Sequence, residues 1–394
     1  MDEAFGFALI IAFSVMQNNE KRCKLFGYSM KKVSVKSVVI KWITAGGISL
    51  TAAAVLIAAR CSQAFADWFC FNVYPFFSGI GSRVCGILPF SVGEFFVALF
   101  ILGVLTGLVF LVIYVKRHKG QRVLALLGGA SWGGIAAAVL FFAVTFNCLV
   151  GYSRTPFSQY SGLTIREHSA EELRGLAEHL IEEANKCAEE VELDDSGRPI
   201  KPDNFNELAV RAMSSLADSY PVLDTYYPQP KAVLASPVMS NFNLAGMYFP
   251  VTVEANYNQA MPVSSQGFTA CHELSHLSGF IREDEANFIA FVACRESGDP
   301  YFRYSGYLGA LTYTMNAYYS VAEREEYGEL YSSICETIRA EYSYRSSYWA
   351  QYEKKVTFQA ATAVNDAYLK ANNQTDGTRS YGRVVDLLLA EFYK

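Results

Sequence analysis

The sequence predicts a membrane α-helical N-terminal part with three spans, followed by a mainly α-helical domain that contains a small β-sheet. Three observations predict this fold class. Three long uncharged runs lie within the first 152 residues, charged helical patterns fill most of the second half, and one short stretch alternates strand-forming residues. The chain has 394 residues, a length that indicates two or three units rather than one small core.

The uncharged runs predict membrane spans at about residues 42–59, 95–115 and 123–152. A helix needs roughly 20 apolar residues to cross a bilayer, and uncharged runs of this length are rare in the buried helices of soluble proteins. The second and third runs meet this length comfortably, and the first just meets it. We therefore expect a transmembrane region over residues 42–152, with the lipid bilayer as a partner.

The distribution of Lys and Arg predicts how the spans are oriented, because these residues concentrate on the cytoplasmic side. Seven precede the first span: Lys21, Arg22, Lys24, Lys31, Lys32, Lys36 and Lys41. Four more lie between the second and third spans, whereas the loop between the first and second holds only Arg60 and Arg83. We expect residues 1–41 to be cytoplasmic and residues 153–394 to lie outside. No nucleic-acid partner is expected, since the net charge is −5.

Two features of the N-terminal half stay open in the sequence. Residues 4–16 are apolar but short for a span, and Asp2 and Glu3 stand where a signal peptide carries positive charge. This stretch is either an interfacial segment or an extension upstream of a start at Met30. The nine cysteines do not form a disulfide framework, although Cys70 and Cys85 share the expected outer loop and could pair.

The outer domain begins, by sequence, with a linker over residues 153–166 and an amphipathic helix over residues 168–192. Ser169 and Glu172 form a capping box at the start of that helix, and residues 205–219 also have a helical pattern. Residues 246–256 alternate strand-forming side chains, and Pro250 within them indicates an edge strand because proline cannot donate to a neighbouring strand. After residue 264 the chain has helical patterns nearly to its end.

The segment HELSH at residues 272–276 has the H-E-x-x-H spacing of a metal site. Positions four apart on a helix share a face, so His272 and His276 can bind one ion through their imidazole nitrogens. Glu273 lies about 100° around the helix, near enough to meet a water on that ion. This set of groups suits Zn²⁺, with Glu273 as the general base that takes a proton from the water.

A third ligand requires that the motif helix stop soon after His276. Gly279 stands at a good position for a left-handed helix end. A second helix, EDEANFIAFVAC, follows at once, and its acidic first turn offers Glu283, Asp284 or Glu285 as the third ligand.

Here the chain resembles the gluzincin branch of zinc metallopeptidases, in which a second helix carries a glutamate ligand. In several such families that helix has the sequence E-x-x-A, followed by Asp or Asn and an aromatic residue. EDEANF matches this pattern with Glu283 in the first position. The resemblance implies that Glu283 binds the metal and that Asn287 buttresses a histidine ligand. One departure is the short gap from His276 to Glu283. The spacing is also similar to the metzincin pattern HExxHxxGxxH, but Arg282 stands at its third ligand and cannot ligate.

The whole pattern resembles an uncharacterised family of bacterial membrane proteins with N-terminal spans and a C-terminal HELxH domain. Besides the motif block, the resemblance is carried by LPFSVGE, FPVTVEANYN and SYGRVVDLLL. It implies a zincin-like domain over residues 153–394, a zinc cofactor, and a place in the bacterial cytoplasmic membrane. An edge strand beside the motif helix would bind extended peptide, as in zincins, although an ordinary edge hairpin fits equally well.

Peptide hydrolysis also needs a donor for the developing oxyanion. Candidates are Tyr381, Arg383 or a tyrosine within residues 301–307. The sequence thus favours a membrane-anchored zinc peptidase that acts on an unidentified peptide or protein. The alternative is a zinc-binding sensor or interaction protein on the same fold, which would have no need of Glu273 as a base.

Overall fold

The structure is a computed structural model, and it describes residues 32–372, 374 and 383–394. In these residues the chain is mostly helical with one three-stranded sheet. The N-terminal helices are α1 (Val35–Cys61), α2 (Gln63–Asn72), α3 (Tyr74–Gly86), α4 (Val92–Arg117), α5 (Arg122–Asn147) and α6 (Phe157–Tyr160). The later elements are α7 (Ala170–Glu190), α8 (Phe205–Ser214), β1 (Lys231–Ala232), α9 (Ser236–Asn241), β2 (Gly246–Phe249), β3 (Glu254–Tyr257), α10 (Val263–Leu277), α11 (Glu283–Glu296), α12 (Pro300–Tyr319), α13 (Arg324–Ser332), α14 (Glu336–Glu353), α15 (Val356–Ala371) and α16 (Val384–Phe392).

Three helices among the described residues, α1, α4 and α5, are long and apolar enough to cross a membrane. This finding confirms the three expected apolar helices and is consistent with membrane association. Their bounds differ from the uncharged runs. Helix α1 begins at Val35, because helical hydrogen bonding continues through Lys36 and Lys41, and α5 ends at Asn147 where a 3₁₀ turn follows. Residues 4–16 and Met30 lie outside the described part.

The chain forms two compact units. The first comprises residues 1–47 and 103–137, of which the structure describes those from 32 onward. Within it, the indole of Trp42 donates to the Leu127 carbonyl at 3.2 Å, and the Lys41 ammonium lies 4.6 Å from the centre of the Trp132 ring. The second unit comprises residues 48–102 and 138–394 and contains the HELSH segment.

The core of the second unit is built around α10. Helices α8, α11 and α12 and strands β2 and β3 pack on it, and α7 packs along α12. The fully buried side chains Leu274, Phe280, Phe288 and Phe302 come from three of these helices and the α10–α11 turn. Burying such side chains is the main stabilising contribution to a core, about 2–3 kcal/mol each. The motif helix is therefore held from nearly every side.

The helices expected around the site are confirmed. Ser169 caps α7, since its side chain accepts from the Glu172 amide while the Glu172 carboxylate accepts from the Ser169 amide. Residues 205–214 form α8 and continue into a 3₁₀ turn. From residue 263 onward the described chain is helical apart from short turns.

The sheet differs from the expected strand over residues 246–256. Strand β3 lies in the centre, parallel to β1 and antiparallel to β2, so β2 is an edge strand. Pro250 does not lie within a strand, because β2 ends at Phe249 and a turn follows in which Val253 has a φ of 56°. The segment is thus a hairpin: a proline that cannot donate ends the strand and starts the turn.

The expected outer loop between the first two apolar helices is itself helical, forming α2 and α3. Cys70 and Cys85, on these two helices, are free thiols rather than a disulfide. The expected linker over residues 153–166 is also not a free connection. Arg154 and Phe157 within it are buried, and the Phe157 ring packs edge-on against Phe280 at 5.1 Å between ring centres.

The start of α4 is fixed by a buried carboxylate of the central strand. Glu254 accepts from the backbone amides of Val92 at 3.1 Å and Gly93 at 2.7 Å, the groups that a helix N-terminus leaves without internal partners. The Lys231 ammonium lies 2.5 Å from the same carboxylate, and both side chains are buried. The second unit therefore joins an apolar helix directly to the sheet beside α10.

Candidate metal centre

The α10 helix presents His272 and His276 on one face, one turn apart. Their ring centres lie 4.6 Å apart. The helix ends at Leu277, and Gly279 follows with a φ of 89° in the left-handed region, as its position in the sequence indicates. This turn reverses the chain, so that α11 starts at Glu283 opposite the two histidines.

Glu283 completes a three-residue cluster with the two histidines. Its Oε2 atom lies 3.1 Å from His272 Nε2 and 3.7 Å from His276 Nε2. One ligand atom from each residue lies within 4.8 Å of the other two. Two ligands that are each about 2.1 Å from a zinc ion, at the tetrahedral angle, are about 3.4 Å apart. The observed separations bracket this value, so these residues fit a zinc ion.

The Glu283 carboxylate supplies a second test of the fit. Its Oε2 atom is buried and makes no hydrogen bond of normal geometry within the described part of the chain, although both imidazoles are close. Buried polar atoms nearly always have partners, so such an atom is unusual. The three ligand atoms converge on one point rather than bonding to each other, and this is the arrangement that a shared cation requires.

The other two acidic residues of the first turn of α11 lie elsewhere. The Glu285 carboxylate accepts from the Phe157 amide at 2.9 Å, and the Asp284 carboxylate accepts from Arg282 at 3.0 Å. Of the three candidates for a third ligand, the structure therefore brings only Glu283 to the histidines.

The electrostatics of the cluster favour a positive charge between the three residues. Burial opposes protonation of His276, but the carboxylates of Glu283 and Glu273 and the Phe280 carbonyl outweigh it and raise the pKa of the imidazole to about 9. Burial acts against ionisation of Glu283, yet the two imidazoles hold the pKa of its carboxyl at about 2. A divalent cation would satisfy the same carboxylate.

Glu273 is buried beside the cluster and faces the same cavity. Burial raises the pKa of its carboxyl above the ordinary value, and the imidazoles of His272 and His276 oppose this shift. Strand β2 packs closely against it, since a side-chain carbon on Gly246 would overlap the Glu273 carboxylate. Glu273 therefore stands next to the candidate ligands without being one of them.

A backbone carbonyl, not a side chain, supports the His276 ring. His276 Nδ1 donates to the Phe280 carbonyl at 3.0 Å, which directs Nε2 toward Glu283. Asn287 is buried and lines the cavity, but no hydrogen bond joins it to either imidazole. Its Nδ2 has no hydrogen-bond partner among the residues that the structure describes.

A cavity of about 700 Å³ opens over the cluster. Strand β2 and the segment before it form one wall, and α12, α14 and α15 form others. Polar side chains of the walls include Tyr152, Tyr313, Arg345 and Tyr368. Burial and the nearby Glu283 raise the pKa of Tyr313 to about 12, while Arg345 opposes the shift, so Tyr313 lies close to both the cluster and Arg345.

The oxyanion donors expected from the sequence do not line this cavity in the described structure. Tyr301, Tyr304 and Tyr307 are core residues of α12, and Arg383 precedes α16 away from the cavity wall. Tyr381 lies outside the described residues. The sequence pattern did not indicate Tyr313 and Arg345 as cavity residues. They lie far from the motif in the sequence, in segments rich in tyrosine, where spacing does not distinguish one residue from another.

Comparison with known proteins identifies the family. No curated protein and no solved structure matches the chain significantly. A family model described as "Protein of unknown function (DUF3810)" matches residues 69–389, which include the end of α2, all of α3, the sheet and all residues of the cluster. This match covers most of the chain. The chain therefore belongs to the DUF3810 family of proteins of unknown function.

Proposed function

We propose that this protein is a membrane-anchored, zinc-dependent peptidase with its active site outside the cytoplasmic membrane. The observation that carries the proposal is the convergence of His272, His276 and Glu283 beside Glu273, which is not a member of the cluster, in one cavity. A purely structural zinc site is usually closed by four protein ligands and needs no neighbouring base. Three ligands, a base and an open cavity are the composition of a catalytic site.

Each residue of the site would have its own role in the reaction. His272, His276 and Glu283 would hold a zinc ion, which would supply Lewis-acid chemistry and lower the pKa of a water beside it. Glu273 accepts a proton from that water and delivers it to the departing amine. Tyr313 reaches the cavity with a phenol that can donate a hydrogen bond to the carbonyl oxygen as negative charge develops on it.

The edge strand β2 suits an extended peptide. It pairs with β3 on one side, and residues 246–248 line the cavity. A peptide that adds to a free strand edge is held by main-chain hydrogen bonds whatever its sequence. The peptide bond next to Gly246 would then pass the Glu273 carboxylate, because no side chain at that position separates them.

Arg345 gives the cavity a specificity element. It is the one Lys or Arg among the cavity-lining residues that the structure describes, and no described carboxylate lies within ion-pair distance of it. Its Nη1 donates to the Thr312 hydroxyl at 3.3 Å. A half-buried guanidinium with no acidic partner binds carboxylates well. The substrates that fit best therefore carry an anionic group near the cleaved bond.

The location follows from the apolar helices and the basic clusters. Seven basic residues lie before α1 or within its first two turns, and four lie in or beside the α4–α5 loop, which favours a cytoplasmic N-terminus. With three crossings, the domain after residue 152 lies outside. Reporter fusions after residue 160 should then show an external location and fusions at residue 119 a cytoplasmic one.

The decisive experiment replaces Glu273 with glutamine in the full chain. Glu273→Gln keeps size and hydrogen bonding but removes the base, so zinc content and folding should persist. Peptide cleavage should fall by about 10²–10⁴-fold. The readout is the membrane and shed proteome of cells that carry wild type, Glu273→Gln or His272→Ala.

The alternative function, a zinc-binding sensor, predicts a different pattern. A sensor depends on the ion and the packing around it, so Glu273→Gln should behave like wild type while His272→Ala differs. That result would exclude the peptidase.

A further inference from the structure

Helix α3 has an unusual distribution of polar and apolar side chains. Its side toward the protein carries Ser78 and Ser82, which are 3% and 1% exposed. Its outer side carries Phe76, Ile80 and Val84, which are 63%, 52% and 61% exposed. These two sets each repeat at a spacing of four, so each forms a stripe along the helix. In water the stripes would be reversed, because apolar stripes of surface helices face the core.

The neighbouring residues extend this apolar surface. Trp68 and Phe71 on α2 and Ile87 after α3 are also exposed. Residues 61–93 contain two charged residues, Asp67 and Arg83.

Asp67 is half-buried and Arg83 is exposed, and both have partners within the protein. Asp67 accepts from the Thr155 amide at 2.8 Å and from its hydroxyl at 2.7 Å. Arg83 donates to the Gly79 carbonyl at 3.1 Å and lies over the Tyr226 ring. The outer side of α2 and α3 thus offers apolar groups and almost no charge.

We propose that α2 and α3, which Val73 alone joins, form one lipid-immersed segment, with this apolar side among the acyl chains at the outer face of the bilayer. Continuity of the chain identifies lipid as the occupant. Helix α2 begins directly after α1 ends at Cys61, and α4 begins at Val92, shortly after α3, so both ends of this α2–α3 segment join helices long enough to cross a membrane. Helices of this kind bind in the interface by burying an apolar face.

The protein side of the α2–α3 segment contacts the motif helix. The Tyr74 hydroxyl at the start of α3 donates to the Leu277 carbonyl at the end of α10, 2.7 Å away, and lies 3.3 Å from the Tyr248 hydroxyl of β2. Gly81 lies against Val253, next to β3, where a side-chain carbon would overlap it. The α2–α3 segment therefore holds the end of α10, and with it the candidate metal centre, next to the bilayer surface.

Tryptophan fluorescence in the full chain tests this proposal. In a background with Trp42, Trp68, Trp132 and Trp349 replaced by phenylalanine, single tryptophans are introduced by Phe76→Trp or Ile80→Trp. The protein is reconstituted in phosphatidylcholine nanodiscs with or without brominated acyl chains, and iodide serves as the aqueous quencher. Leu99→Trp on α4 is the lipid control, and Tyr319→Trp, similarly exposed at the end of α12, is the aqueous control.

Brominated lipid should quench the tryptophan fluorescence of Phe76→Trp and Ile80→Trp as it quenches that of Leu99→Trp. Iodide should have little effect on the fluorescence of these variants. Quenching by iodide to the extent seen for Tyr319→Trp would place this face in water and overturn the proposal. Resistance to both quenchers would also overturn it, because a second copy or another protein would then cover the α2–α3 segment. The outer face rests on the topology of the proposed function, but neither readout depends on orientation or on peptidase activity, so the two proposals can fail separately.

Discussion

The carboxylate of Glu283 lies 3.1 Å from His272 Nε2, although the two residues belong to different helices. The left-handed turn at Gly279 makes this approach possible, because it folds the start of α11 back onto the face of α10. Asp284 and Glu285, the next two residues of α11, contact Arg282 and the Phe157 amide instead. Which acidic residue reaches the two histidines thus depends on one short turn.

The first prediction concerns this ligand. Glu283→Gln in the full chain should lower zinc content strongly, since a neutral amide is a poor zinc ligand compared with a carboxylate. Glu285→Gln is the matched control, because glutamine can still accept from the Phe157 amide, and it should retain one zinc per chain. Metal analysis of purified protein gives the answer. Loss of zinc in Glu285→Gln with retention in Glu283→Gln would show that the ligands are misassigned.

The second prediction concerns the close packing of β2 on the base. In Gly246→Ala the added carbon would overlap the Glu273 carboxylate and displace it. Small displacements of a catalytic group can reduce rates by about 10²-fold, so cleavage should fall by that order while zinc content stays at the wild-type level. Gly328→Ala, in open space on α13, is the control and should be neutral. Cleavage by Gly246→Ala at the wild-type rate would show that Glu273 does not act as the base.

The third prediction concerns Arg345 as the anion-binding residue. Charge-assisted hydrogen bonds contribute about 1.5–3 kcal/mol, so Arg345→Gln should raise KM for acidic peptides by roughly 10- to 100-fold. The rise in KM should be smaller for Arg345→Lys. It should be absent for Arg339→Gln, which is exposed on the same helix. Mass spectrometry of a peptide mixture measures which peptides disappear. An unchanged preference in Arg345→Gln would contradict the role.

The fourth prediction concerns the buried pair Lys231 and Glu254. Glu254→Gln would leave the Lys231 charge without its carboxylate and would weaken the capping of α4. The free energy of unfolding should fall by about 3–5 kcal/mol. Thermal unfolding in detergent should therefore begin at a clearly lower temperature. Glu182→Gln removes one side of an exposed pair with Lys186 and is the control. Equal midpoints for the two variants would mean that the buried pair does not stabilise the junction.

The same junction determines how the metal centre must be studied. Cutting the chain near residue 160 would remove the amides that Glu254 caps and the Tyr74 hydroxyl that contacts Leu277. The second unit includes residues 48–102 as well as the outer domain. The full chain is therefore the appropriate material for each experiment above.

The sequence by itself determined the features that depend on a few neighbouring residues. The charge-free runs predicted α1, α4 and α5, because the length of an apolar helix is set by residues that follow one another. The spacing of His272 and His276 predicted a shared face, because α-helical geometry is fixed. Gly279 and Ser169 marked helix ends through their own backbone or side-chain chemistry.

Only the tertiary structure decided which distant segments meet. It ended β2 at Phe249, before Pro250, and brought Tyr313 and Arg345 into the cavity wall. It also showed that α3 turns serines inward and large apolar side chains outward. Such outcomes depend on packing between elements far apart in the chain, where many arrangements satisfy the local patterns equally well and the contacts formed on folding choose among them.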